Sequence, residues 1–438
     1  MNRLQIRFWS ALVCCLSLAG LVRPVAANTL CVNPAGSGGC YKSIQTAVNN
    51  ASSGDIIQVA KGTYHEAVVI GTSSISLIGA GAGASIIDAT GQGVAVHVDG
   101  MDNPGLHKVI VADFTVENGN FEGILVTNAS DVTIRDNQVQ FNDKALVISV
   151  PVCPGQPTFE TGEAFDCGEG IHLSGANHSV VANNDVENNA GGILLSDDTG
   201  ETSDNLITGN VVANNPFDCG IVMASHAPAP GSSAPHLGIV HNTVSGNKST
   251  HNGFQVPGAG AGVGIFSDGS GVGLVSGNVI IENELTDNGL PGVAFHSHVG
   301  PNFGLPADNL NDNLIIGNHI SGNGADLFDT ATPGTAGINI SSGAGGSPIT
   351  GTLVSGNVIT DEDDDVVMAT PGDANVHLND LLRKGVGIDN LANGTVDATD
   401  NWWGCPAGPG GPGCSSVEGA GISWVPWLDH PVVPVGKK

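Results

Sequence analysis

The sequence predicts an all-β protein: a single-stranded, right-handed parallel β-helix with an N-terminal capping helix and a Trp/Cys-rich C-terminal cap. Three observations lead there. The 438 residues include 64 glycines and only 4% aromatics, a composition unlike that of a helical or doubly wound domain. Helical periodicity is nearly absent; short runs of Val, Ile and Leu alternate instead with Asn- or Gly-rich turns. Those runs recur at a nearly constant spacing, which marks a stack of repeats.

Residues 1–27 read as an export signal. Arg3 and Arg7 give a positive start, Phe8 to Val22 form 15 uncharged residues, and Val25-Ala26-Ala27 offers a small-residue cleavage site. That stretch is too short to span a bilayer comfortably, and no other segment is long and apolar enough. A periplasmic or extracellular location is expected. The rest of the chain carries ten Lys and Arg against 42 Asp and Glu, a net charge of −32. A surface this acidic repels nucleic acid and anionic membranes, whose phosphates need clustered cations. Both are excluded as partners, a polyanionic substrate needs a bridging cation, and a monomer is expected.

Residues 28–70 are expected to form the N-terminal cap and first coil. Tyr41 to Ala51 is the one credible amphipathic helix, with Ile44, Ala47, Val48 and Ala51 on one face. It covers the open first coil, which otherwise presents a bare sheet edge. Gly54 to Val59 reads as the first strand, followed by Ala67 to Ile70 and Ile75 to Gly79.

Residues 71–395 carry the repeat. One unit is a glycine before an alternating apolar run: Gly123-Ile124, Gly170-Ile171, Gly192-Ile193, Gly220-Ile221, Gly264-Ile265, Gly292-Val293 and Gly337-Ile338, with Ala145-Leu146-Val147 as a degenerate copy. Steps of 23, 24 and 22 residues are followed by 28, 44, 28 and 45, each later one read as a coil plus an insertion or as two coils. A second unit places Gly-Asn before a strand, as in Gly209-Asn210, Gly277-Asn278, Gly317-Asn318 and Gly356-Asn357. A period near 22 with about three short strands suits one turn of a β-helix. Gly and Asn tolerate left-handed corners, and Asn on successive coils can stack in hydrogen-bonded ladders. At residues 396–438, Trp402, Trp403, Trp424 and Trp427 are expected to seal the last coil.

Six cysteines fall into local pairs around Gly/Pro-rich loops: Cys31 with Cys40, Cys153 with Cys167, and Cys405 with Cys414. In an exported chain three local disulfides are expected, although spacing alone leaves the connectivity open. Cys219 remains as a small buried thiol.

The run Ser43-Ile44-Gln45, Gly54-Asp55, Gly62-Thr63-Tyr64 and Ile78-Gly79 resembles the opening of pectin lyase-like β-helix proteins. The Asn-rich coils and the closing Asn401-Trp402-Trp403-Gly404 to Pro426-Trp427-Leu428 resemble bacterial right-handed β-helix repeat proteins, a group that includes the NosD family of periplasmic maturation proteins. The resemblance implies the fold. For function it implies either a polysaccharide-active protein or a non-catalytic metal-handling one.

Counting from the repeat glycine, the sixth residue is Asp198, His226 and His298, and the fourth is Asp268 and His296. Equal offsets line up along a solenoid, so these five are expected on one edge, with His172 near them on an outward face. Carboxylates and imidazoles at close range can bind calcium, zinc or copper, or can perform acid–base chemistry on a sugar. The expected catalytic residues are Asp198, Asp268 and His296, with His172 and Asp197 binding substrate and His226, His296 and His298 available to a metal. Asp197-Asp198 is similar to the adjacent acids that act in polygalacturonase-like β-helices, although the accompanying Gly-His-Gly and Arg-Ile-Lys signatures are absent. Insertions at Pro151–Cys167, Ala227–Pro235 and Val299–Leu305 are expected to wall a groove for a polysaccharide. The run Asp361 to Asp365 reads as a solvated loop, or as a calcium site. A structural or adhesive solenoid with no small-molecule site is the remaining alternative.

Overall fold

The structure, a computed structural model, describes residues 27–150, 153–160, 167–226, 237–256, 259–267, 273–297, 307–328, 332–342, 347–382 and 385–432. All but the last residue of the expected signal segment lies outside them. Short strands follow one another around a right-handed coil, and each hydrogen-bonds to its equivalents above and below. Among the described residues this builds parallel sheets of 14, 12 and 11 strands, with a small fourth sheet of three.

The register shows why these residues stack. In the 12-stranded sheet one column reads Val68, Val96, Ile124, Ile171, Ile193, Ile221, Val263, Val293, Ile338, Val366 and Ile388. β-Branched side chains pack well on a pleated surface, and here every one is buried inside the tube. The glycine heading each unit sits where the tube interior has no room for a side chain. A Cβ on Gly170 would lie 2.3 Å from Val186 Cγ1, on a later strand of the same coil.

Register corrects two expectations. Strand Ile124–Thr127 pairs directly with Glu169–Ser174, so Ala145-Leu146-Val147 is no coil; residues 143–167 are an insertion between them. The equivalent of Gly292 is Gly262 rather than Gly264, since Val263 pairs with Val293. Gly264 sits opposite Ala294, which places Phe266 rather than Asp268 opposite His296.

Corners are held by asparagine ladders. One runs Asn137, Asn184, Asn210, Asn247, Asn283, Asn318, Asn357, Asn379 and Asn401, each Oδ1 accepting the backbone N–H and the side-chain amide of the Asn one coil earlier. The residue before most of these is left-handed, as at Gly209 (φ 65°) and Gly317 (φ 64°), which explains the Gly-Asn unit. A second ladder ends where Glu362 replaces Asn, its Oε1 accepting from the backbone and side chain of Asn323. The acidic run is therefore not a solvated loop. Glu362, Asp364 and Asp365 are buried, the last two within strand Asp364–Ala369.

At the N-terminus, strand Thr29–Val32 precedes the helix and pairs with Ile56–Val59, so the latter is not the first strand. Helix Ile44–Asn50 buries Ile44, Ala47 and Val48 against the first coil. Its start is fixed by Glu66, which accepts from Ser43 Oγ and from the N–H groups of Ile44 and Gln45. At the other end Trp403 and Trp402 are buried, whereas Trp424 and Trp427 are 39% and 38% exposed, so two tryptophans rather than four close the core. All three expected disulfides are present, and Cys219 is free and buried.

Candidate functional site

Side chains of the 12-stranded sheet alternate between the tube interior and its outer face. Ile171 and Leu173 point inward, so His172 and Ser174 face out, as do Leu194 and Ser196 one coil on. This outer face is covered: His172, Ser174, Leu194 and Ser196 are all at most 2% exposed. Part of the cover is the segment Cys153–Glu160, tied back by the Cys153–Cys167 disulfide. His172 is thus on the expected face but buried, not open to solvent.

Beneath that cover lies a cluster of acids and imidazoles. His172 Nδ1 is 2.7 Å from Glu122 Oε1, and its Nε2 is 2.8 Å from Ser196 Oγ. Ser196 in turn donates to Ser174 Oγ at 3.1 Å. Glu122 and Glu169 each lie two residues before the paired Ile124 and Ile171, which stacks them on neighbouring coils. Glu122, Glu169 and His172 each bring a ligand-type atom within 4.8 Å of the others. Glu160 reaches in from the covering segment and is 8% exposed. Burial, together with the neighbouring carboxylates of Glu122, Glu169 and Asp198, pushes its carboxyl up to about 12.

Next along the sheet, His226 Nδ1 stands 3.2 Å from Asp198 Oδ2. Burial pulls the Asp198 carboxyl upward, but the charge and hydrogen bond of His226 outweigh it and hold the group below its ordinary range. Asp197, expected to bind substrate, ties the turn together. It accepts from His226 N–H at 2.9 Å, Ser225 Oγ at 2.9 Å and Gly238 N–H at 3.1 Å.

His296 belongs to a separate couple. Its Nε2 is 2.7 Å from Asp326 Oδ2, and its ring meets Phe266 edge-on with centroids 4.9 Å apart. Ala224, Phe266 and His296 occupy one register column, so His296 is two coils, about 10 Å, from the His226 end of the sheet. His226 and His296 therefore do not share one metal ion. Asp268 and His298 lie outside the described residues, as do the expected walls at 227–235 and 299–305. Arg135 and Lys144 engage neighbouring acids, Asp113 and Asp136 for the first and Asp143 for the second.

Glu122, Glu160 and Glu169 were not among the residues singled out from sequence. Glu122 and Glu169 did carry a signal, a repeated Glu-Gly-Ile at 122–124 and 169–171. Glu160 sits in an insertion with no periodicity to reveal it.

Fold and register together define a right-handed parallel β-helix protein. Residues 73–274 match the family described as right handed beta helix region. Among solved structures, the catalytic domain of a GH87 alpha-1,3-glucanase in complex with nigerose aligns with a TM-score of 0.52 at 14% identity, over 92% of this chain and 68% of that one. The A-module of the Azotobacter vinelandii mannuronan C-5 epimerase AlgE6 aligns at 0.49 and 15%, over 89% and 94%. ORF18 of Geobacillus virus E2 aligns at 0.46 and 15% over 81% of this chain, which spans only 57% of that protein. At these identities the likeness is one of fold. No curated protein matches the chain. Among the described residues no helix is long and apolar enough to cross a membrane.

Proposed function

We propose that the protein is exported and hydrolyses a neutral polysaccharide laid along the outer face of the 12-stranded sheet, with Asp198 and His226 passing the proton. The observation that carries this reading is the Asp198–His226 couple itself: a carboxylate held ionised, 3.2 Å from an imidazole, on the face where successive coils offer successive contacts to an extended chain. Glycoside hydrolysis needs one group to protonate the leaving oxygen and another to accept a proton from water. An imidazole and a carboxylate can share those tasks. Asp268 and His296, read from sequence as further catalytic residues, belong to the same proposal. Elimination chemistry fits less well, because it needs a cation beside a substrate carboxylate, and Arg135 and Lys144 are each paired with acids of their own. A neutral glycan also avoids the charge of −29 on the whole chain. The likeness in fold to an alpha-1,3-glucanase catalytic domain makes neutral glucans the first substrates to try.

The reactive groups are buried, so cleavage requires that the glycan gain access to them. The test is a panel of neutral glucans and uronic-acid polysaccharides incubated with the untagged protein, with release of reducing ends as the readout. New reducing ends from a neutral glucan support the reading, and unsaturated products from uronates replace hydrolysis with elimination. Absence of any product or binding across the panel removes it in favour of a metal-handling solenoid, the reading that the Glu122–Glu169–His172 group favours.

A further inference from the structure

The His172 hydrogen bonds pose a problem that a proton or a cation must solve. The Ser196 hydroxyl proton goes to Ser174 Oγ, so Ser196 accepts from His172 Nε2–H. In the neutral ring that tautomer turns the Nδ1 lone pair toward Glu122 Oε1 at 2.7 Å, lone pair against lone pair. Glu169 stacks on Glu122 from the next coil, adding a second carboxylate to the same space. Three further oxygens make the demand stronger. Glu122 Oε2, on a residue 1% exposed, and both oxygens of Glu160, itself 8% exposed, meet no N–H or hydroxyl donor, and the Glu160 carboxyl faces that of Glu122. Buried carboxylates are tolerated when they are paired or bind metal, and His172 is the imidazole in direct contact with this group of acids.

We infer that Glu122, Glu169 and His172, joined by Glu160 from the covering segment, bind one divalent transition-metal ion. Imidazole nitrogen with carboxylate oxygen suits manganese, iron(II) or zinc better than the all-oxygen preference of calcium or the sulfur preference of copper(I). Metal–nitrogen and metal–oxygen bonds of about 2.0–2.2 Å bring neighbouring ligand atoms to about 3 Å, close to the 2.7 Å between Nδ1 and Oε1. Ser196 then serves as the outer partner that fixes the imidazole tautomer, a role commonly filled around histidine ligands. The Cys153–Cys167 disulfide anchors the segment that supplies the fourth ligand. The ion sits beside the Asp198–His226 couple, yet the inference does not depend on the chemistry assigned to that couple.

The experiment uses the full untagged chain, stripped with chelator and then given Mn²⁺, Zn²⁺ or Ca²⁺ separately. Bound metal is measured after desalting, affinity by calorimetry, and the Mn²⁺ form by pulsed electron paramagnetic resonance. One equivalent of Mn²⁺ or Zn²⁺ per chain is expected, bound at least tenfold more tightly than Ca²⁺, with a nitrogen coupling on manganese that disappears in His172→Gln. Glu122→Gln, nearly isosteric, should weaken binding at least tenfold while circular dichroism stays unchanged; His296→Gln should bind as the wild type does. A folded wild-type chain that holds no stoichiometric ion, or a Glu122→Gln chain that binds equally well, overturns the site. If His172→Gln fails to fold, the nitrogen coupling in the wild type still decides. Glycan cleavage is assayed with and without chelator, so loss of the metal site and loss of the hydrolase reading are seen separately.

Discussion

The His226 imidazole and the Asp198 carboxylate meet across neighbouring coils at 3.2 Å, and neither side chain is more than 2% exposed. The neighbouring Asp197 fixes the backbone of His226 through its N–H. The couple is thus held from both sides by consecutive acids of one turn, the first structural and the second available for chemistry. Interior packing makes this possible, because strands that repeat a β-branched column bring the same turn into line on every coil.

The asparagine ladders should carry much of the stability. Asn247 accepts two hydrogen bonds from Asn210 and donates to Ile207 O and Asn283 Oδ1, all in the interior. Asn247→Ala leaves those partners unsatisfied at a cost of about 1–3 kcal/mol. A urea melt should show a lower midpoint with little change in slope.

Glu362 should make stability pH-dependent. Burial pushes its carboxyl up to about 7, whereas an unfolded glutamate titrates near about 4.3. Across that window the folded chain holds the extra proton, so stability from this group is full below about pH 4.3 and falls as pH rises to about 7. Glu362→Gln keeps the acceptor for Asn323 and removes the charge. It should raise the melting temperature at neutral pH, with a gain in stability of at most about 4 kcal/mol, and flatten that part of the pH profile.

Glycine at 170 should resist substitution. The Cβ of Gly170→Ala would fall 2.3 Å from Val186 Cγ1 and 2.8 Å from Asn189 Nδ2. Overpacking of this kind costs about 1–3 kcal/mol. Gly38, where an added Cβ meets nothing within 4 Å, sits at φ 68° and should lose stability through backbone strain alone, by a smaller amount in the same thermal melt.

Much of this architecture was legible in the sequence, and the reasons are local. Gly-Asn units marked real corners because a left-handed residue must precede the buried amide, and the cysteine pairs closed as spacing suggested. Register was harder. Gly262-Val263-Gly264 offers two glycines two residues apart, and both frames keep the apolar alternation; only pairing with Val293 distinguishes them. Ala145-Leu146-Val147 imitated a coil because an insertion can be apolar without entering the tube. The acidic run at 361–365 misled in the opposite direction, since Glu362 takes the place of an asparagine that a composition rule assigns to solvent. Of the acids around His172, Glu122 and Glu169 shared a repeated Glu-Gly-Ile that marked them only once the coils were in register, and Glu160 lies in an insertion without periodicity.

The most direct test of the central claim is the rate of reducing-end release by Asp198→Asn compared with the wild type on the glucan that the wild type cleaves best. If Asp198 and His226 move the proton, the variant should lose about 10²–10⁴-fold in kcat with glucan binding and melting temperature close to wild type. A variant that cleaves at the wild-type rate while folded would contradict the assignment and move the reactive centre elsewhere on the solenoid.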